Sequence, residues 1–352
     1  MPKAGHFLVA CIALYPCLTG SGKQVAGSHT GTVLAVAGEQ GKPAPGKELI
    51  RDARFRQGFS LSPLTPEEVM AAGSFDKAHK GYYYFEEKDK KPVWEFCQWA
   101  SKHSLEGAGP KKNADNSVEY RNAAKRILRY TDGTLHIGVF TSREYTRPRE
   151  AGGAFTGFLI QQDFRDPPNI GDVNHLYFSA AIKIVACKQK MKKQEYNPDI
   201  HTAQTPMYFI LKNKNPQSED YNYAIWLGIQ SFDYRYPEMN SKEEIGFDKD
   251  THMYIYNIPQ TRIWGKKTSF NDHRWHQTQT DLLPSVLQAV AAMRAKGAFL
   301  NSALSDLVLE GMNFGWECPG TFDVALEVRG LSLKVVDKNQ YGLLIRPADK
   351  NI

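Results

Sequence analysis

No apolar run in this 352-residue chain reaches the ~18 residues a membrane-spanning helix needs. A Gly-rich phosphate loop, a dinucleotide fingerprint, a serine nucleophile elbow and a His-Glu-x-x-His helix are all missing. Nucleotide-dependent, serine-hydrolase and zinc-protease classes lose their usual signatures. Cysteine is scarce. Beyond Cys11 and Cys17, only Cys97, Cys187 and Cys318 occur, spaced too widely for a disulfide framework or a short zinc motif. They read as core thiols, with one disulfide among the three left open as to pairing. His273 and His276 lack a third ligand at a recognised spacing, so no metal site is expected there. Glu243, Glu244, Asp248 and Asp250 depart from the EF-hand pattern. They read as a solvated loop or, at most, a structural calcium site, and no other cofactor is expected. The formal charge of +6 is too diffuse for a nucleic-acid binder.

What is present is alternation. Phe322, Val324, Leu326 and Val328 alternate with polar residues, and Leu331, Leu333 and Val335 resume one step out of phase after Gly330. That is a strand with one buried face and a bulge at the glycine. Val308–Leu309 reads as the preceding strand, ended by Gly311, with Gly315–Gly320 as a turn carrying Trp316 and Glu317. Further strands are expected at 82–85, 93–99, 135–140, 156–164, 176–187, 207–212, 223–232 and 253–258. One helix is expected at about 281–296, with Asp281 capping, Pro284 in its first turn and Gly297 at its stop. A short helix should open at Thr65-Pro66 and end by Gly73.

These elements predict an all-β fold: an antiparallel, jelly-roll-like β-sandwich with one inserted helix. It should occupy residues 49–336 as a single domain, with separate units at 49–200 and 201–336 as the alternative. Residues 1–20 have the order of an export signal, with Lys3 before the apolar Phe7–Leu18. Residues 21–48 read as a flexible leader and 337–352 as a tail. A secreted or periplasmic protein is expected, and Leu8–Cys11 leaves lipid anchoring open.

Three stretches, Trp94–Trp99, Tyr145–Pro148 with Gln161–Phe164, and Gly311–Asp323, resemble those of exported bacterial proteins of a carbohydrate-related jelly-roll type. The resemblance spans most of residues 50–336 and implies a glycan as partner.

Sugars present hydroxyl edges and apolar C–H faces, so their sites combine aromatic, amide and charged side chains. Trp226 with Gln230, Gln161 with Asp163, and Tyr145 with Arg147 each share a strand face if their segments are extended. The competing reading is that Trp226 is core and the polar groups are ordinary outer-face residues. Glu317 and Asp233 form a candidate carboxylate pair for glycoside hydrolysis, and Trp316 beside Glu317 is either a sugar platform or core. The competing reading braces a turn with Glu317 and pairs Asp233 with an arginine. Arg235 with Tyr234 or Tyr236, or Arg147 with Tyr145, has the chemistry of a polysaccharide lyase. The expected function is a secreted protein that binds a polysaccharide or oligosaccharide on a sandwich face. The alternatives are a polysaccharide-degrading enzyme and a structural surface protein.

Overall fold

The computed structural model describes residues 45–249, 251–266 and 268–338. The export-signal and most of the leader and tail expectations lie outside them. The described residues form two sheets packed face to face. The eight-strand sheet runs, in spatial order, His276–Asp281, Val173–Gln189, Phe322–Asp337, Leu135–Phe140, Lys125–Arg129, Val118–Arg121 and Lys111–Lys112, with Lys47–Glu48 also on Phe322–Asp337. The nine-strand sheet runs Glu244–Asp248, Met253–Asn257, Ala224–Asp233, Gln204–Asn213, Leu307–Cys318, Thr156–Asp163, Trp94–Cys97, Phe59–Leu61 and Tyr82–Tyr83. The fold is a jelly-roll-like β-sandwich with few helices.

Period-2 alternation places one set of side chains from each sheet in a shared core. Ile137, Phe178, Ile182 and Leu326 come from one side, and Phe96, Phe158, Phe209 and Phe314 from the other. The bulge at Gly330 is present. Ser179 pairs Ser332 and Ala181 pairs Arg329, so two residues oppose Ala180, and Gly330 takes φ +62°. The phase slip keeps both Val328 and Leu331 buried. The long helix is Leu283–Ala295, burying Val286, Ala289, Val290 and Met293. Asp281 Oδ1 accepts the backbone N–H of Leu283 at 3.0 Å and of Leu176 at 2.9 Å, tying the helix start to the sheet. The short helix is Pro66–Ala72, stopped by Gly73 in the left-handed region.

Three expectations fail for identifiable reasons. The sheets are not wholly antiparallel: Ala224–Asp233 runs parallel to Met253–Asn257, and Phe59–Leu61 to Trp94–Cys97. After Asp233 the chain first lays down the edge strand Glu244–Asp248. It then returns antiparallel to that edge, inside it, and so parallel to the strand it left. Gly311 and Gly315 do not end a strand, because Leu307–Cys318 is continuous. At Gly311 a Cβ would meet Gln162 O at 2.8 Å, and at Gly315 one would meet Phe158 O at 2.3 Å. These glycines mark close backbone approach rather than termination. A register shift opposite Ile210 and Leu211 also breaks the visible alternation. Trp316 and Glu317 therefore lie inside a strand, not on a turn.

The third is the run 139–147, which turns helically at Thr141–Glu144 instead of extending. Glu144 is drawn inward, accepting Lys125 Nζ at 2.5 Å and the N–H groups of Lys102 at 2.6 Å and His103 at 3.1 Å. Both side chains of that ion pair are fully buried. Burial opposes the charge on Glu144, but Lys125 and the two N–H donors outweigh it and hold the carboxyl below its usual range.

Candidate functional site

The register of the nine-strand sheet aligns one residue from every strand. From edge to edge the row reads Tyr82, Ser60, Glu95, Gln161, Asn313, Tyr208, Gly228, Asn257, Glu244. Cross-strand partners point to the same face, and this face is turned away from the core. Every member is polar, tyrosine or glycine. Eight inter-strand steps make the row ~38 Å long. Such a row across a sheet costs desolvation that an ordinary outer face, open to water, would not pay: Gln161, Asn313 and Tyr208 are all buried.

Toward the Glu244 end the face opens into a cleft of about 640 Å³. Gln204, Pro206, Tyr208, Gly228, Gln230 and Asn257 form its floor, and Arg235, Tyr236, Glu238 and Lys242 are among its walls. Gly228 keeps the floor flat, since a Cβ there would sit 2.0 Å from Asn257 Oδ1 and 2.8 Å from the Tyr208 ring. Tyr236 is 58% exposed with the Arg235 guanidinium 5.2 Å from its ring centre. Amides on the floor and an exposed ring on the wall are the groups that sugar hydroxyls and C–H faces require.

Toward the Tyr82 end the row carries one carboxyl, Glu95, bonded to an amide. Gln161 Nε2 donates to Glu95 Oε2 at 2.6 Å. Burial pushes the Glu95 carboxyl up to about 8, with the charge of Asp163 adding to it. Further along the Leu307–Cys318 strand, Glu317 accepts from Gln204 Nε2 at 2.8 Å, and Gln230 Nε2 donates to Gln204 Oε1 at 3.3 Å. Burial raises Glu317 to about 7.

The residues expected from sequence separate into groups. Gln230 and Arg235 line the cleft. Gln161 and Asp163 share the outer face but stand beyond Asn313, toward the other end of the row. Trp226 is on this face yet fully buried, its ring edge-on to Tyr208 at 5.3 Å, so it buttresses the floor instead of meeting solvent. Trp316 points the opposite way. It is fully buried in the core and donates Nε1–H to Ile137 O of the other sheet at 3.1 Å, which removes it as a sugar platform. Tyr145 packs at the end of the sandwich, donating its hydroxyl to Ala100 O at 2.9 Å, and Arg147 sits in the exposed loop after the helical turn. Neither joins the row.

Asp233 lines the cleft but is clamped by Arg235, Nη2 to Oδ2 at 2.7 Å and Nε to Oδ1 at 3.0 Å, and by Thr202 Oγ1 at 2.6 Å. Gln204 stands in register with Glu317 one strand to one side and Asp233 one strand to the other, and Glu317, 3% exposed, has its carboxyl on Gln204 Nε2. The same clamp engages the Arg235 charge that a lyase would need for a uronate. Glu243 and Glu244 accept hydrogen bonds from Tyr256 and Asn240, and Asp248 from Thr251. Asp250 lies outside the described residues. Among the described residues no cluster of three or more His, Cys, Asp or Glu could hold a metal ion.

Glu95, Asn313, Tyr208 and Asn257 escape a sequence reading. Glu95 alone leaves a trace, as a carboxylate alternating with aromatics in Trp94–Trp99. The other three become a site only through register.

No family model and no curated protein matches this sequence. Solved structures similar to it include endoglucanase Cel12A from Rhodothermus marinus, with a TM-score of 0.35 and 11% identity over 65% of this chain and 96% of that one. A family 12 xyloglucanase from Bacillus licheniformis in complex with ligand gives 0.35 and 11% over 65% and 100%. The family 11 xylanase from Neocallimastix patriciarum gives 0.32 and 10% over 65% and 99%. Likeness this distant carries no argument about what the chain binds or does.

Proposed function

We propose that this chain is an exported protein that binds a neutral polysaccharide or oligosaccharide along the outer face of the nine-strand sheet. The unbroken polar row supports the reading, because it offers amides and tyrosines to a chain-like ligand over the whole width of the sheet. The cleft supplies the deepest part of that surface. Its walls carry Asp199, Glu238, Glu243 and Glu244 against Arg235 and Lys242. With Arg235 already paired to Asp233, a uronate would meet net negative charge, which favours a neutral glycan. The order of Lys3, the apolar Phe7–Leu18 and small residues supports export.

Gel electrophoresis through hydroxyethylcellulose, xylan or glucomannan, with polygalacturonate as the acidic control, tests the proposal. Wild type is expected to be retarded by a neutral glycan and not by polygalacturonate. Asn257→Ala and Tyr236→Ala should each weaken retardation roughly three- to tenfold, the worth of one neutral hydrogen bond or ring contact, with unchanged melting temperature. Unretarded migration in every neutral glycan would sink the proposal.

A further inference from the structure

The polar row continues past the cleft. Tyr208, on the cleft floor, stands in register with Asn313, Asn313 with Gln161, and Gln161 with Glu95. From Gly228 in the cleft to Gln161 is three inter-strand steps, ~14 Å. One sugar chain can lie on both places at once.

Three groups meet there. Gln161 is 7% exposed, and its Oε1 has no hydrogen-bond partner. Asn313 is 2% exposed, and its Oδ1 has none either. Buried carbonyls without a donor are rare, because each costs desolvation. Half-buried Glu95 accepts Gln161 Nε2 on Oε2, which leaves Oε1 as the oxygen that can carry a proton. On the strands to either side it meets Ser60 and Gln161. The charged groups around it are Asp163, Asp76 of the helical turn Phe75–Ala78, and Lys91, which is 2.8 Å from Asp76. Burial raises the Glu95 carboxyl to about 8 against the Gln161 bond, with the two aspartates adding to the rise and Lys91 opposing it. Below that pH, Glu95 is a donor.

The ligand follows from counting donors. A sugar hydroxyl has one O–H to give and two lone pairs to receive with. Two adjacent hydroxyls supply the two donors that Gln161 Oε1 and Asn313 Oδ1 lack, and a lone pair of one receives the Glu95 proton. The Asn313 amide turns about its soft terminal torsion to meet them. A carboxylate, a sulfate or an ether has no donor and would leave both carbonyls unsatisfied.

We propose that Glu95, Gln161 and Asn313 form a subsite for two adjacent free hydroxyls of a neutral sugar, with Glu95 donating and the two amides accepting. The inference rests on the binding reading above and adds to it a hydroxyl pattern and a pH dependence. Once Glu95 ionises, the subsite loses its donor, and a bound ligand has to desolvate a charge.

Titration calorimetry with hydroxyethylcellulose, xylan and glucomannan at pH 7 and pH 9.5 tests the subsite. Wild-type affinity should fall roughly three- to tenfold between the two, the worth of one hydrogen bond. Glu95→Gln keeps a donor and cannot ionise, so its affinity should be the same at both. Glu317, raised to about 7, ionises lower and is untouched by that variant, so a difference traces to Glu95. Asn313→Leu should bind roughly three- to tenfold more weakly at pH 7, with a melting temperature no lower than wild type, because the carbonyl it deletes has no partner to lose. A pH-independent wild type, the same fall in Glu95→Gln, wild-type binding by Asn313→Leu, or a lower melting temperature of Asn313→Leu overturns the inference and leaves the binding proposal standing. A wild type that binds none of the three polymers at pH 7 overturns both.

Discussion

Two carboxyls of the nine-strand face, Glu95 and Glu317, sit in surroundings opposite to those of Glu327 on the eight-strand face, although Asp233 and Glu310 of the nine-strand sheet are paired with Arg235 and Lys214. On the eight-strand face Glu327 meets Lys183 Nζ at 3.1 Å, accepts the Tyr130 hydroxyl at 3.2 Å, and stands 3.6 Å from His136 Nδ1. Those neighbours, His136 foremost and Lys183 with it, hold Glu327 down to about 2 against its burial. Nearby, Arg329 lies 4.3 Å from the Trp275 ring centre. On the nine-strand face Glu95 and Glu317 have amides as their hydrogen-bonding partners, and burial raises both. The eight-strand face pairs Glu327 with cations, whereas the nine-strand face sets Glu95 and Glu317 against amides and leaves the buried Gln161 Oε1 and Asn313 Oδ1 without donors.

The largest expected effect comes from breaking what separates the two faces. Trp316→Ala removes a fully buried ring whose Nε1–H bridges to Ile137 O. It should cost about 3–5 kcal/mol, read by urea denaturation, and a loss below 1 kcal/mol would show that the sheets are joined elsewhere. Next is Glu317→Gln. The folded chain binds the Glu317 proton more tightly than the unfolded chain, since the pKa rises from 4.5 to about 7. Its stabilising effect is complete below the unfolded value, declines as pH rises, and is gone above about 7. The wild type should thus lose on the order of 3 kcal/mol across that window, and Glu317→Gln should flatten the decline. An unchanged slope would mean that Glu317 is ionised throughout.

The smallest effect is on the paired face. Glu327 is depressed from 4.5 to about 2, so its contribution is present above 4.5 and lost as pH falls through about 2. Allowing for solvent screening, Glu327→Gln should cost about 1 kcal/mol at pH 7 and nothing near pH 2. A Glu327→Gln variant as stable as wild type at pH 7 would erase the contrast between the faces.

Local patterns carried much of the architecture. The alternation of Phe322–Val328, its slip at Gly330 and the helix Leu283–Ala295 are legible because each depends on residues within a few positions of one another. Gly311 and Gly315 misled, because a glycine that admits a neighbouring backbone looks the same in sequence as one that ends a strand. Trp316 and Trp226 stayed open for a different reason: an aromatic on a strand declares that it will be buried or exposed only once the layer above it is known. The row from Tyr82 to Glu244 was beyond reach for a deeper reason. Which residue of Trp94–Cys97 stands opposite Gln161, and which of Leu307–Cys318 opposite Tyr208, is set by pairing between distant segments and by bulges that shift each register. Period-2 alternation tells which side of its own strand a residue takes, whereas the alignment of nine strands into one polar row exists only in the folded sheet.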